Sequence, residues 1–175
     1  MIRAASLADV PAIVEVHVAA WDAAKEGLEL PTRRTAEERA ESWTSYLQQG
    51  EGSLLVVEES GAMRGFIAFG PSRDADRQRE VEVYTLYVDP DSWGQGFGSA
   101  LMAEVPVGEV VSLWVAERNS RAREFYGRHG FAPDGAREAG HHVPVIRLAR
   151  PPLNVDKSAT SRGPATPSDG GAQHR

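Results

Sequence analysis

The sequence of 175 residues predicts a mixed α/β fold of the α+β kind, in which about four helices flank a mostly antiparallel sheet of six to seven strands. Two observations predict this fold. Apolar runs and helical stripes alternate in the order β-α-α-β-β-β-α-β-α-β-β, with three strands in succession near the middle. A glycine-rich loop and a short helix then precede the next apolar strand, which predicts one parallel strand–helix–strand crossover.

The N-terminal part predicts a short strand, "MIRAA", followed by two helices. Ser6 and Asp9 form a capping box at the start of the first helix, and Thr35 and Glu38 form one at the start of the second. The stretch "GLELP" separates the two helices, and the second helix ends at Gly50. One face of the first helix carries Val10, Ile13, Val14, His17 and Trp21.

The remainder of the domain predicts most of the sheet. The strands "SLLVVEE" and "AMRGFIAFG" are joined by "SG", a hairpin signal, and "EVEVYTLYV" is the central strand. Pro106 ends the short helix that follows the glycine-rich loop. Next come the strand "EVVSLWVA" and the helix "NSRAREFYGRH", which Asn119 or Ser120 opens and Gly130 closes. The strands "GFAP" and "HHVPVIRLAR" complete the sheet.

Composition narrows the class of protein. A net charge of −6 favours a cationic partner over nucleic acid, and the lack of cysteine excludes an acyl group carried on a protein thiol. No apolar run is long enough to span a membrane, and the N-terminus shows no signal peptide. We therefore expect a cytoplasmic protein with no membrane or nucleic-acid partner. Residues 1–150 predict one domain, and the Pro-, Gly-, Ser- and Thr-rich residues 151–175 predict a disordered tail.

The loop "GQGFGS", residues 94–99, is the first candidate site, because glycines expose backbone N–H groups to which a phosphate can bind. A turn without any ligand is one alternative. A nucleotide-triphosphate loop would need a lysine, which is absent here. A dinucleotide-binding loop would need glycine or alanine at Ser99, although Glu117 lies at the distance expected for its ribose-binding acid. That alternative stays open.

The stretches "LYVDPDSWGQGFGSALM" and "LWVAERNSRAREFYGRHGF" together resemble the GNAT superfamily of acyl-CoA-dependent N-acetyltransferases, and the resemblance covers about residues 2–150. It implies that acetyl-CoA is bound, with its pyrophosphate on the glycine loop and its pantetheine along the end of the central strand, where the parallel strands splay. Trp93 departs from the Arg or Gln that the family often has there. The implied cofactor-binding residues are Leu86, Tyr87, Val88, Gly94, Gln95, Gly96, Phe97, Gly98, Ser99 and Asn119.

The same resemblance implies two catalytic residues. Tyr126 matches the family's tyrosine; with an ordinary pKa of about 10 it would donate a hydrogen bond to the leaving thiolate, or act as an acid if its pKa were lowered. Its alternative is a core residue beside Phe125. Glu82 is the expected base, on the same strand face as Glu80, and its alternative is a solvated surface residue. Trp114 occupies the position of a glutamate that serves as the base in some relatives.

Trp21, Glu26 and Glu29 lie in or near the first helix–helix loop, which in this superfamily forms one wall of the acceptor site. Their alternative is ordinary surface. No metal site is expected, because the adjacent His141 and His142 point to opposite sides of a strand.

The expected reaction is direct transfer of an acetyl group from acetyl-CoA to a primary amine of a small molecule, possible substrates being antibiotics and amine metabolites. A peptide amine is the alternative acceptor, and a CoA-binding protein without catalysis is the alternative function. A homodimer is a further possibility, because members of the superfamily often pair.

Overall fold

The computed structural model describes residues 1–28, 34–139 and 143–153. In these ranges seven strands and four helices follow one another in the predicted order. The strands are β1 (Ile2–Ala4), β2 (Ser53–Glu59), β3 (Ala62–Pro71), β4 (Val81–Val88), β5 (Val111–Ala116), β6 (Ala132–Glu138) and β7 (Val145–Arg150). The helices are α1 (Val10–Leu28), α2 (Ala36–Gln49), α3 (Phe97–Ala103) and α4 (Ser120–Arg128).

The predicted helix boundaries rest on local hydrogen bonds that the structure contains. At the start of α2, the Thr35 hydroxyl accepts from the Glu38 N–H at 3.2 Å, and the Glu38 carboxylate accepts from the Thr35 N–H at 2.8 Å. The capping box of Ser6 is also present, but a 3₁₀ turn precedes the α-helix there. Asn119 caps α4, because its Oδ1 accepts from the Ala122 N–H at 3.0 Å.

The sheet has the strand order β1-β2-β3-β4-β5-β7-β6, and the only parallel pair within the described residues is β4 with β5. The predicted hairpin between β2 and β3 turns through Ser60 and Gly61, whose φ angles of 53° and 77° suit a two-residue turn. β6 extends beyond the predicted "GFAP", with a register shift between Pro133 and Arg137 around Gly135. His141 and His142 lie outside the described residues.

Helices cover both faces of the sheet. On one face, α1 and α2 pack over β2, β3 and β4, where a cluster forms around Ile13, Phe66 and Trp43. On the other face, α3 and α4 pack through Leu101 and Tyr126 against a larger cluster that spans the sheet. The two clusters lie on opposite faces of the sheet, so alternate residues of the central strands contribute to different clusters.

A β-bulge interrupts β4 in the middle. Phe69 of β3 pairs with Val83, and the adjacent Ala68 pairs with Thr85, so Tyr84 is an extra residue in β4. A bulge bends its strand and increases the local twist. The parallel ladder between β4 and β5 ends at the pair Val83 and Leu113, directly before the bulge.

Side-chain hydrogen bonds hold the connection between β3 and β4 against the face of β5 and β7 that carries Trp114 and Arg147. Arg147 of β7 is buried and bonds Asp74 and Asp76 of this connection, and it also bonds Asp134 of β6. The indole N–H of Trp114 donates to Asp74 as well. Hydrogen bonds to charged groups contribute more than neutral ones, so this network gives the connection a defined position.

Replacing Gly65 by alanine is predicted to destabilise the protein by about 1–3 kcal/mol. A Cβ at Gly65 would lie 2.7 Å from the backbone oxygen of Tyr87 and 3.3 Å from a methyl group of Leu101. Urea-induced unfolding measures the change. Gly108→Ala is the matched control, because a Cβ there meets no atom within 4 Å. Equal unfolding midpoints for the two variants would contradict the prediction.

Candidate active site

A gap opens in the sheet beyond the bulge. β4 continues beside β3 as far as Val88, and β5 continues beside β7 as far as Ala116, but the two strands no longer pair with each other. The Asp89 N–H donates to Arg64 on β3, so the Val88 carbonyl faces the other way, towards the gap. The edge of β4 from Leu86 to Val88 therefore faces the gap without a strand partner, as expected for a segment that binds an extended ligand.

The glycine loop lies at the end of β4. Gly94 and Gly96 have φ angles of 79° and 91°, and an ideal Cβ on Gly98 would lie 3.6 Å from a Val88 methyl group. The backbone N–H groups from Gly94 to Ser99 donate none of the turn, loop or cap hydrogen bonds of the described residues. They remain available to an anion.

The helix after this loop contributes little to anion binding. α3 has only seven residues and ends at Ala103, three residues before Pro106. A helix of two turns has a weak macrodipole, because the dipole is a sum over aligned peptide units. The capacity of this loop to bind an anion therefore rests on its individual N–H groups.

Trp93 replaces the polar residue that the family often has at the start of the loop, and the structure gives it a different role. Its indole N–H donates to the Val88 carbonyl at 2.9 Å, which occupies that acceptor on the edge of β4. The guanidinium of Arg121, in the first turn of α4, lies 3.4 Å from the centre of the Trp93 ring. This cation–π contact holds a positive charge beside a loop that contains no lysine or arginine of its own.

Tyr126 of α4 is buried in the layer of α3 and α4, and its phenol interacts electrostatically with the phenol of Tyr87 on the unpaired segment of β4. Burial raises the pKa of its phenol well above the ordinary value, and the Tyr87 phenol adds to the rise. The lowered pKa considered from sequence is therefore wrong, and the phenol stays protonated at neutral pH. Tyr126 also packs at 5.3 Å from the ring of Phe125, so the predicted core packing is confirmed.

Tyr87 approaches the gap from the opposite layer. Its ring stacks on His17 of α1 at 4.5 Å between centroids. His17 in turn lies 2.6 Å from an Arg39 nitrogen, and its other ring nitrogen faces the Trp43 indole N–H at 3.2 Å. A contiguous set of side chains thus runs from the α1–α2 layer to the edge of β4.

Glu82 is buried, with 2% of its surface exposed, so the alternative of a solvated surface residue is wrong. It lies on β4 two residues before Tyr84 of the bulge and opposite Ser112 of β5. Its Oε1 accepts from Nη2 of Arg73 at 2.6 Å, and its Oε2 accepts from the Arg73 backbone N–H at 2.8 Å. Glu80 was expected on the same face of this strand. It precedes β4 and forms an ion pair with Arg77.

Arg73 covers the carboxylate of Glu82 from the solvent side. Its side chain is 65% exposed, and its guanidinium lies 4.2 Å from the centre of the Tyr84 ring. An amine can therefore reach Glu82 only if Arg73 moves aside or if water connects them. The buried Ser112 hydroxyl, across from Glu82, has no hydrogen-bond partner among the described residues.

The predicted acceptor wall is described only in part. Trp21 lies on α1, with the Arg39 guanidinium 5.6 Å from the centre of its ring. Glu26 falls on α1, but its side chain lies outside the described part, and Glu29 lies outside the described residues. Sequence reasoning missed Arg39, Arg73 and Arg121, because their partners are distant in sequence; the only local signal was Arg39 within the otherwise apolar stripe of α2.

Two further findings concern the described residues only. No helix in them is long and apolar enough to cross a membrane. No group of three or more His, Asp or Glu side chains in them is arranged to hold a metal ion.

The model of the acetyltransferase (GNAT) family matches residues 19–131. This match covers more than half of the chain and includes the glycine loop, the gap and α4. The chain therefore belongs to the GNAT acetyltransferase family.

Known proteins agree with this assignment. A probable N-acetyltransferase of Mycobacterium tuberculosis is 31% identical over 143 residues, which is 77% of this chain and 80% of the relative. An N-acetyltransferase of Thermoplasma acidophilum in complex with coenzyme A superimposes with a TM-score of 0.67 at 16% identity, covering 86% of this chain and 98% of its own. An acetyltransferase of Salmonella typhimurium with its cofactor acetyl-CoA has a TM-score of 0.64 at 22% identity, covering 88% and 94%. The two structures share the fold.

His17 is predicted to make stability depend on pH. Burial and then the charges of Arg39 and Arg34 lower its pKa from 6.5 to about 4. Because the unfolded chain binds the proton more readily, stability present above about pH 6.5 is lost as the pH falls towards about 4. Urea unfolding between these limits should give a shallower loss for His17→Asn than for the wild type. Equal slopes would contradict the prediction.

Proposed function

We propose that this protein transfers the acetyl group of acetyl-CoA directly to a primary amine of a small molecule. The observation that carries the proposal is the gap between β4 and β5, which is bordered by an unpaired strand edge, a loop of free N–H groups and a protonated buried tyrosine. Membership of the GNAT acetyltransferase family supports the reaction class. Direct transfer follows from the absence of cysteine, since no protein thiol can carry the acetyl group.

The residues around the gap fit a CoA molecule. The backbone groups of Leu86 and the N–H of Val88, which have no strand partner, suit the amides of a pantetheine arm, and the N–H groups from Gly94 to Ser99 suit a pyrophosphate. The Thermoplasma and Salmonella proteins of the same fold bind coenzyme A and acetyl-CoA, which supports this choice of ligand. Acetyl-CoA supplies an activated thioester. Asn119 remains a candidate cofactor contact in addition to its role as helix cap.

Tyr126 acts on the leaving group. Its phenol keeps its proton, because burial raises its pKa. It donates a hydrogen bond to the sulfur as negative charge develops there, and such a preorganised donor is worth more in a buried site than in water. Complete transfer of its proton to the thiolate would be strongly uphill.

Glu82 accepts the proton of the attacking amine, directly or through water. It lies on the face of the sheet that α1 and α2 cover in part, opposite the layer that contains Tyr126. The two groups thus approach the gap from opposite sides, as an acid and a base on either side of an acyl transfer require. Arg73 must leave the carboxylate, or a water must bridge to it, before Glu82 can act.

The function is tested by thiol release from acetyl-CoA with a panel of amines that includes aminoglycosides, polyamines, amino acids and short peptides. Acetylation of a small amine with kinetics that require both substrates together would support the proposal. A preference for peptides would replace the acceptor class. Tight acetyl-CoA binding with no acetylation of any amine would favour a CoA-binding protein without catalysis.

Tyr126→Phe and Glu82→Gln are each predicted to lower kcat by a factor on the order of 10²–10⁴ while leaving CoA affinity within about threefold. Each change removes a group that acts during the reaction and leaves the backbone contacts to the cofactor. Glu80→Gln is the matched control, because Glu80 pairs with Arg77 outside the gap. Equal activities for the Glu80 and Glu82 variants would remove Glu82 from the mechanism.

Arg121→Gln is predicted to weaken CoA binding by about tenfold, which corresponds to one charge-assisted hydrogen bond. The stacked guanidinium is the cation that Trp93 holds beside the glycine loop. Isothermal titration at low and high salt measures the change, which should shrink at high salt because the attraction is electrostatic. Arg123→Gln, two residues further along α4, is the control. An unchanged affinity for Arg121→Gln would exclude this guanidinium from cofactor binding.

A further inference from the structure

Arg39 is a buried cation that has no carboxylate partner among the residues that the structure describes. Three arginines among the described residues are at least nine-tenths buried: Arg39, Arg147 and Arg150. Arg147 bonds three aspartates, and Arg150 donates to the carbonyl oxygens of Val105 and Pro106. The Arg39 side chain donates to no oxygen of the described residues. A buried charge in this state is costly, so Arg39 is the strongest candidate among these residues to bind an anion.

Within the described residues, the only hydrogen-bonding partner of the Arg39 guanidinium is His17, which is neutral and cannot balance its charge. The Arg39 Nη1 lies 2.6 Å from Nε2 of His17, while the Trp43 indole N–H faces the other ring nitrogen. A neutral imidazole has one acceptor nitrogen, so these two donors compete for it. The pKa of about 4 keeps His17 neutral at physiological pH.

A second donor lies beside Arg39. The indole Nε1 of Trp21 is buried and has no partner among the described residues, and the same holds for Nε of Arg39. The Arg39 guanidinium lies 5.6 Å from the centre of the Trp21 ring. Arg73 binds the carboxylate of Glu82 through its Nε and Nη2. The corresponding Nε of Arg39 has no hydrogen-bond partner among the described residues.

The position of this pair connects it to the gap. Arg39 bonds His17, and His17 stacks on Tyr87, which lies on the segment of β4 that has parted from β5. Tyr87 and Glu82 both belong to the side of the sheet on which α1 and α2 lie. Arg39 and Trp21 therefore lie on the same side of the sheet as Glu82, and a continuous set of contacts connects Arg39 to the unpaired segment of β4.

We propose that Arg39 and Trp21 bind the carboxylate of the acceptor, so that the acceptor is an amine that also carries a carboxylate, as an amino acid does. This inference rests on the proposed function and specifies its substrate class. A carboxylate can accept hydrogen bonds from both N–H donors, and it supplies a negative charge to a guanidinium that has none beside it in the described residues. The source of the carboxylate is a free amino acid or the C-terminus of a short peptide.

Matched pairs of acceptors test the inference in the thiol-release assay. Each amino acid is compared with the amine that lacks its carboxylate, with its amide, and with a dipeptide that ends in it. The free acid is expected to exceed its decarboxylated amine about 100-fold in kcat/KM. Equal or better turnover of the amines without a carboxylate would overturn the inference, and the dipeptides distinguish the two sources.

Variants assign the effect to the two residues. Arg39→Met is expected to abolish the preference by raising KM for the acid about 100-fold, with no change for the amine. Trp21→Phe removes the N–H and part of the ring surface but keeps an aromatic side chain, and it should cost up to about tenfold. Arg34→Met is the matched control, because Arg34 is an exposed cation that directly precedes α2. An equal rise in KM for the acid in the Arg34 variant would show that the preference comes from long-range electrostatic attraction, and it would overturn the inference.

Two thermal measurements decide the matter even if no acceptor is turned over. N-acetyl amino acids should raise the Tm of the wild type but not that of Arg39→Met, and N-acetyl amines should raise neither. A rise without any thiol release would retain the carboxylate site and remove the proposed enzyme activity. The absence of a rise in the wild type would overturn the site.

Without ligand, Arg39→Met should be at least as stable as the wild type, because it removes a buried charge that has no carboxylate partner among the described residues. A marked fall in Tm would show a structural role and overturn the inference.

Discussion

The bulge at Tyr84 is the constraint on which the candidate site depends. The ladder of β4 with β3 continues past the extra residue with a shift in register, while its ladder with β5 stops at Val83. The bent strand carries the glycine loop away from β5, and the space between becomes a gap with an unpaired backbone edge. A sheet paired along its full length could bury a similar apolar core, but it would offer no edge to an extended ligand.

The buried arginines Arg147 and Arg39 differ in how their charges are balanced. Arg147 is surrounded by aspartates, and its network fixes Asp74 in the connection between β3 and β4. Arg73 is the neighbour of Asp74 in the chain, so this network also positions the arginine that covers Glu82. Arg39 has no such compensation within the described residues. The proposed carboxylate of the acceptor would supply this compensation.

Much of the fold was predictable, because its signals are local. Capping boxes need residues three apart, the hairpin needs two residues that tolerate positive φ, and Asn119 caps the helix that it precedes. The site was predictable only in outline. The glycine loop and Tyr126 were recognised through a family pattern, whereas Arg39, Arg73 and Arg121 acquire their roles from partners in other elements. The length of β6 was missed, because its residues are exposed and polar and only pairing with β7 makes them a strand.

The sequence by itself determined the order and type of the elements, the position of the glycine loop and the absence of a thiol that could carry an acyl group. These properties follow from spacing along the chain and from composition. The tertiary structure alone decided where β4 leaves β5, that Glu82 is buried beneath Arg73, and that burial keeps the Tyr126 phenol protonated. Burial and charge compensation depend on which side chains contact one another across the sheet. These contacts join residues that are far apart in the sequence, so they form only when the chain has folded.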